Sequence, residues 1–183
     1  MKGSNHDEFR EFVAMRSTAL LRLAVLLTGG DRHAAEDLLQ IALMKAYGRW
    51  AHIEQHEAYV RKVMYRQQVN RWRLRRHRAE TTVPVLPDSG TDADAGAESE
   101  LRIAVWAALG RLTKRQRAVV VLRYVEDLPE AEVAALLGCP VGTVRSTAHR
   151  SLAKLRALVP ELGPEGPAEQ VQSVGYAPKE VRG

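Results

Sequence analysis

The chain has 183 residues, room for one domain or two small ones. Apolar residues make up 45% and aromatics 5%, a balance suited to helical cores of Leu, Val and Ala, and the single cysteine, Cys139, excludes a disulfide framework or a cysteine-based zinc site. The formal charge of +5 is unevenly spread: 15 Lys/Arg stand against 8 Asp/Glu over residues 1–78, none against 6 over 79–100, 10 against 4 over 101–159, and 2 against 4 over 160–183.

Two basic blocks joined by an acidic segment is the pattern of two nucleic-acid-facing modules on a tether. Solvated helix faces would account for the basic residues, but not for a tether without any positive charge. Residues 7–28 are expected to form a helix with Phe9, Phe12, Val13, Arg16, Leu20, Leu23, Ala24 and Leu27 along one side, ended by Gly29-Gly30. Its apolar stretch Leu20–Leu27 is short and broken by Arg22, so neither a signal segment nor a membrane span is expected, and the expected location is cytoplasmic. Asp31 caps a second helix, to about Tyr47, with Ala35, Leu38, Leu39, Ala42, Leu43 and Ala46 as its apolar set. Residues 48–57 read as a loop or short irregular turn. A third helix is expected from about Glu57 to His77, amphipathic through Tyr59, Val60, Val63 and Met64 and basic almost all round from Arg71 to Arg78.

Residues 81–97 then place Pro84, Pro87, Gly90 and Gly96 among Thr, Ser and Asp, the composition of a flexible linker. Helix resumes near Glu98 and runs to Gly110, burying Leu101, Val105, Ala108 and Leu109. Thr113 followed by Gln116 is a capping box that starts another helix, through Val125. After Pro160 come three prolines and four glycines, so 160–183 is expected to be a disordered tail. No strand pattern appears. The fold expected is all-α: two small helical domains over 1–78 and 101–159, joined by a flexible acidic linker over 79–100.

Residues 128–158 carry the most specific pattern. Ala134 is small where one helix must pass close to another, and Gly138 follows four residues later where a turn needs positive φ. Pro140 bars continuation of the first helix. Val144, six residues beyond Gly138, fills the space between the helices. From there Ala148, Leu152, Leu155 and Val159 form a buried stripe, while Ser146, His149, Arg150 and Ala153, edged by Arg145 and Arg156, form the opposite face. This is a helix-turn-helix whose second helix has the polar face a major-groove reader needs. Cys139 sits in its turn as a small, half-buried filler. An ordinary helical hairpin would not require all three spacing residues.

In this order, two helical modules, a linker and a C-terminal helix-turn-helix, the chain resembles a bacterial RNA polymerase sigma factor of the extracytoplasmic-function kind (sigma-70 superfamily, group 4), and within that family the actinobacterial SigE-like subfamily. The resemblance covers about residues 7–159. It is most specific at Leu112–Arg156, where Gly142-Thr-Val-Arg-Ser146 and His149-Arg150 match region 4.2. At Ala35–Tyr47 the run Ala-Glu-Asp-Leu-Leu-Gln followed by Lys45-Ala-Tyr resembles region 2.2.

The resemblance implies a role for each matched residue. Asp37 and Gln40, with Ile41 and Met44, would face the clamp helices of the largest polymerase subunit; Ile41 stands where the family usually has an acidic residue. The loop His52–Glu57 and the helix behind it would read the −10 element, where a base is flipped from the non-template strand. Flipping costs a few kcal/mol, so a shaped pocket must offset it. His52, His56, Arg61, Lys62, Tyr65, Arg66, Asn70 and Trp72 are the residues implied there, as aromatic platforms and cations for single-stranded DNA. Arg66 and Asn70 differ from the residues many members carry. Thr143, Arg145, Ser146, His149 and Arg150 occupy the family's −35 contact positions, and Lys114, Arg115 and Arg117 would hold phosphates, which position a domain without reading sequence. The partners implied are core RNA polymerase, through its clamp helices and, for region 4, its flap region; promoter DNA; and, where one exists, an anti-sigma factor.

Three other classes compete: a conventional helix-turn-helix regulator binding duplex DNA as a dimer, a nucleic-acid packaging protein using Arg71–Arg78, and an enzyme. Nothing resembles a nucleotide loop, a catalytic triad or a metal cluster, so no cofactor and no metal are expected. His52 and His56, four apart, lack a third ligand in sequence reach. The linker has a geometric consequence. Promoter elements about one and a half to two DNA turns apart lie roughly 50–70 Å from each other. The 22 residues 79–100 reach at most about 73–79 Å when extended, and as a free coil they span about 23–28 Å. The linker would therefore be drawn out on DNA, and the resemblance implies that it threads a basic channel of the polymerase, where its acids would mimic nucleic acid.

Overall fold

A computed structural model describes residues 2–75 and 96–162. The basic stretch from Arg76, the linker up to residue 95 and residues 163–183 lie outside the described residues, so the expected linker flexibility and most of the expected tail do too. All regular structure among the described residues is helical: α1 (Lys2–Thr28), α2 (Arg32–Tyr47), α3 (His56–Arg75), α4 (Gly96–Gly110), α5 (Lys114–Val120), α6 (Glu130–Leu137) and α7 (Val141–Leu158). The all-α expectation holds.

The first three helices pack on one another through the stripes that the spacing defines. Leu20, Leu23, Ala24 and Leu27 of α1 are buried against Ala35, Leu38, Leu39, Ala42 and Ala46 of α2 and Val60, Met64 and Val69 of α3. Each fully buried leucine adds about 1.5–3 kcal/mol by leaving water. Asp31 caps α2 by accepting a bond from the Ala34 N–H at 2.9 Å. Between α2 and α3 the chain makes a single 3-10 turn, Trp50–His52. Trp50 is buried beneath it, stacked on His56 at 3.8 Å between ring centres and met edge-on by Phe9 and Phe12.

The later helices gather around α7, which packs against α4, α5 and α6. Helix α4 begins at Gly96, inside the expected linker and two residues before Glu98. Its buried face includes Val105, Ala108 and Leu109 as expected. The Thr113 hydroxyl and Gln116 side chain complete the capping box reciprocally. The helix expected to run unbroken to Val125 changes character at Val121. Residues Val121–Val125 form a π turn, closed by the Glu126 N–H on the Val121 carbonyl at 3.0 Å. Asp127 follows with φ of 50°, a left-handed conformation that Asp tolerates better than most residues. The tail expectation fails over its first residues. Pro160–Leu162 make a 3-10 turn, and Leu162 is 1% exposed, because it still has α7 to pack against.

The two helix groups meet at the end of α1. Gly29 has φ of +79°, and its N–H and that of Gly30 both bond to the Val25 carbonyl, the left-handed close expected of Gly29-Gly30. A Cβ on Gly29 would lie 2.3 Å from the Arg117 guanidinium carbon. Nearby, the buried Gln68 amide donates to the Leu27 carbonyl at 2.9 Å.

Gly29→Ala is expected to destabilise the chain by more than about 1 kcal/mol, since it combines a positive φ with a collision. Gly48→Ala is the control. Gly48 has φ of −63° and a Cβ there would meet nothing nearer than 3.8 Å, so a gain of about 0.4–1 kcal/mol is expected. Urea denaturation of both variants checks the contrast.

Candidate nucleic-acid interface

The turn between α6 and α7 is built as its residues require. Gly138 adopts φ 61°, ψ 49°, and its N–H closes on the Ala134 carbonyl. Ala134 and Val144 are both buried between the helices, and Cys139 is half-buried. The Pro140 carbonyl starts α7 by accepting from the Thr143 and Val144 N–H groups at 3.0 and 3.3 Å. Val144, Thr147, Ala148, Ser151 and Leu155 face inward. Ser151 lies on that buried face only because its hydroxyl donates to the Thr147 carbonyl at 2.6 Å.

The opposite face of α7 is open. Arg145, Ser146, His149 and Arg150 are exposed, and Thr143 is half-buried beside them. Arg150 Nε donates back to the Ser146 carbonyl at 3.2 Å. Arg145 reaches across the turn to Glu130 at the start of α6, with Nη2 on Oε2 at 2.8 Å. That hydrogen bond raises the arginine's affinity for its proton and lowers the carboxylate's. Glu130 was not singled out from sequence, because its partner lies fifteen residues on, across a turn.

The three expected phosphate contacts divide. Arg115 is exposed and Lys114 half-buried at the start of α5. Arg117 is a correction: it is 5% exposed, and its Nη1 donates to the Leu109 and Gly110 carbonyls at 3.2 and 3.4 Å. Burial lowers its pKa to about 10, which leaves it charged at neutral pH. It lies in register with Val120 and Val121, on the inward face. That helical period, and not its neighbours' charge, was the available signal.

The eight residues expected at the −10 element also divide. Lys62, Arg66 and Asn70 recur every four residues along an exposed stripe of α3. His52 is exposed in the 3-10 turn. His56 is committed to structure, stacked on Trp50 with its Nε2 3.2 Å from the Trp50 carbonyl oxygen. Trp72 is half-buried, with an indole N–H that finds no hydrogen-bond partner. Arg61 and Tyr65 face the other helix group. Arg61 Nη1 lies 2.7 and 2.5 Å from the two carboxylate oxygens of Glu126, and the Tyr65 hydroxyl donates to the same carboxylate. Burial, with Glu126 beside it, pushes the Tyr65 phenol well above its usual pKa, so it stays a neutral donor. For Arg61, burial opposes the charge most, but the Glu126 carboxylate and the bond to Glu57 together raise its pKa on balance.

On α2, Asp37, Gln40 and Met44 are exposed and Ile41 half-buried, one face at helical spacing. Met44 keeps 68% of its surface in water. Among the described residues no three His, Cys, Asp or Glu side chains gather as a metal would require, and no helix is long and apolar enough to cross a membrane.

An exposed polar face on the second helix of a helix-turn-helix, with a second basic stripe on α3 and only helices among the described residues, is the arrangement of a DNA-binding protein. Residues 102–155 match the family model "Sigma-70, region 4". The RNA polymerase sigma-E factor of Streptomyces coelicolor is 44% identical over 152 residues, which span 81% of this chain and 84% of that one. The ECF RNA polymerase sigma factor SigM of Mycobacterium tuberculosis is 38% identical over 135 residues, 73% of this chain and 68% of that one. Among solved structures, the sigma factor RpoE of Bartonella quintana, crystallised with the anti-sigma factor NepR, superposes with a TM-score of 0.54 at 24% identity, covering 84% of this chain and 97% of that chain. The chain belongs to the extracytoplasmic-function RNA polymerase sigma factors.

Arg117→Ala is expected to lower stability by about 1–3 kcal/mol, because the Gly110 carbonyl loses its guanidinium donor and the Leu109 carbonyl keeps only the Leu112 N–H, and to leave base preference unchanged. Arg145→Ala is expected to leave the melting temperature unmoved and to relax preference about tenfold or more at one or two −35 base pairs. Thermal unfolding and selection from a randomised duplex library, run on both variants with core polymerase, separate the two roles.

Proposed function

We propose that this chain binds core RNA polymerase as a dissociable subunit and directs initiation at promoters carrying −35 and −10 elements, acting by binding rather than by catalysis of its own. The observation that carries this is the open face of α7. Arg145, Ser146, His149 and Arg150 stand exposed on a helix whose other side is locked into the core. In this reading they contact the −35 element in the major groove, with Thr143, Lys114 and Arg115 on its phosphates. The exposed stripe Lys62, Arg66 and Asn70, with His52, Arg61, Tyr65 and Trp72, serves the −10 element. The face Asp37, Gln40, Ile41 and Met44 docks on the polymerase clamp, with Ile41 apolar where the family usually places a charge and the exposed Met44 adding apolar area. The acidic linker spans the distance between the two elements. The Bartonella structure makes an anti-sigma factor the natural further partner, and the working location is the cytoplasm.

In vitro transcription with purified core polymerase across a genomic library, reading start sites, tests the proposal. A common −35/−10 pair upstream of the starts is expected. A chain that instead binds repeated duplex sites alone, as a dimer, would be a conventional regulator.

The clamp assignment yields its own expectation. Asp37→Arg with Gln40→Ala should weaken association with core polymerase about tenfold or more without loss of helical content, as both side chains are exposed. Co-purification at wild-type stoichiometry would remove α2 from the interface.

A further inference from the structure

The Glu126 carboxylate is the one acidic group that the fold carries from the end of the π turn onto the −10 face of α3. Its side chain is 3% exposed, and its partners lie 65 and 61 residues earlier in the chain. Arg61 presents both carboxylate oxygens with one nitrogen, and Tyr65, one helical turn on, supplies a neutral hydroxyl. Glu57 steadies the arginine, with its Oε1 2.9 Å from Nη2, and itself pairs with Arg16 of α1 at 3.4 Å. A guanidinium and a hydroxyl converging on two anionic oxygens is also the donor set that takes a phosphodiester. A second fastening holds the same interface shut, the Arg117 guanidinium seated on Gly29.

We infer that Arg61 and Tyr65 form an anion site for a backbone phosphate of single-stranded DNA, and that in the free chain Glu126 occupies it as a built-in competitor. The inference rests on the −10 reading of α3 given above. Carboxylate and phosphate need the same donors, so they exclude each other. The chain is then latched: the α7 face stays open to duplex DNA while part of the single-strand face is covered. Melted DNA engages fully only after the helix groups part. The apparent affinity of the free chain for single strands is reduced by the fraction that is open. The latch is reversible because opening the interface returns both charges to water together, whereas removing one partner strands the other.

The test labels exposed positions on either side of the interface, Met15→Cys and Leu158→Cys, in a Cys139→Ser background, for energy transfer. The probes are two fluorescent single strands of about 20 nucleotides, one carrying the non-template −10 sequence found by start-site mapping and one of oligo-dT. Glu126→Gln, which keeps the size and removes the charge, should lower transfer and tighten binding of both strands to the free chain about tenfold. On the unsubstituted Glu126 chain, saturating single strand should itself lower transfer, because coupling is reciprocal; this arm stands even where Glu126→Gln is poorly folded. Single strands that bind without lowering transfer, or a Glu126→Gln chain that opens without binding more tightly, would overturn the proposal and leave the contact a clasp only. Failure of the underlying −10 reading looks different. Arg61→Ala and Lys62→Ala holoenzymes would then melt promoters as the parent does, judged by permanganate reactivity.

Discussion

A guanidinium buried between helix ends sets the arrangement of the whole chain. Arg117 cannot enter the interior without acceptors, and it finds them at the Leu109 and Gly110 carbonyls at the end of α4, the first shared with the Leu112 N–H. Its approach requires that Gly29 carry no side chain. The close of α1, the close of α4 and the start of α5 are therefore held at one point. Gln68 does the same for the Leu27 carbonyl from α3. Helix termini with orphan polar groups are a liability when buried. Here the Arg117 and Gln68 side chains satisfy them, and that fixes where α5 and its π turn emerge and what Glu126 can reach.

The chemistry within the helix groups differs from the chemistry between them. Inside each group the buried contacts are mainly Leu, Val, Ala and Met, with the Trp50 stack in the first. Between them the prominent contacts are Arg117 on Gly29 and the Arg61–Glu126–Tyr65 cluster. A buried ion pair contributes little net stability compared with apolar side chains of the same volume, although breaking it from one side is costly. An interface made this way is specific in register yet not irreversible, nearer to a transient contact than to a core. A leucine-rich seam would have joined the groups more strongly and left both basic faces in one fixed relation.

The sequence exposed what depends on neighbours a few residues away. The stripes of α1, α2 and α4, the Asp31 cap, the Thr113–Gln116 box and the left-handed Gly138 all follow from local periodicity and local sterics. What it hid depends on partners far along the chain. Arg117 looked like one of three surface cations because Lys114 and Arg115 stand beside it, and nothing nearby marks Gly29 as its seat. Arg61 and Tyr65 were read for their chemistry, while the carboxylate that holds them lies beyond the linker. The π turn escaped because Val121–Val125 continues an apolar helical pattern without a Gly or Pro to interrupt it. Leu162 was lost in the composition of the residues after it.

The two basic faces are not equally ready. Arg145 is held by Glu130 in a pair that sits in water, the kind of contact that solvent and salt weaken and that a guanine edge or a phosphate can replace. Arg61 is held by a carboxylate shut away from solvent, within a cluster that reaches back through Glu57 to Arg16. On the assignments proposed above, duplex DNA can displace the first contact without moving a helix, whereas a single strand displaces the second only as the helix groups part. Strand separation already costs a few kcal/mol for each base taken from the stack. A protein that uncovers its single-strand site only on opening would add that opening to the cost of melting, so that binding and melting occur in sequence, the duplex contact first.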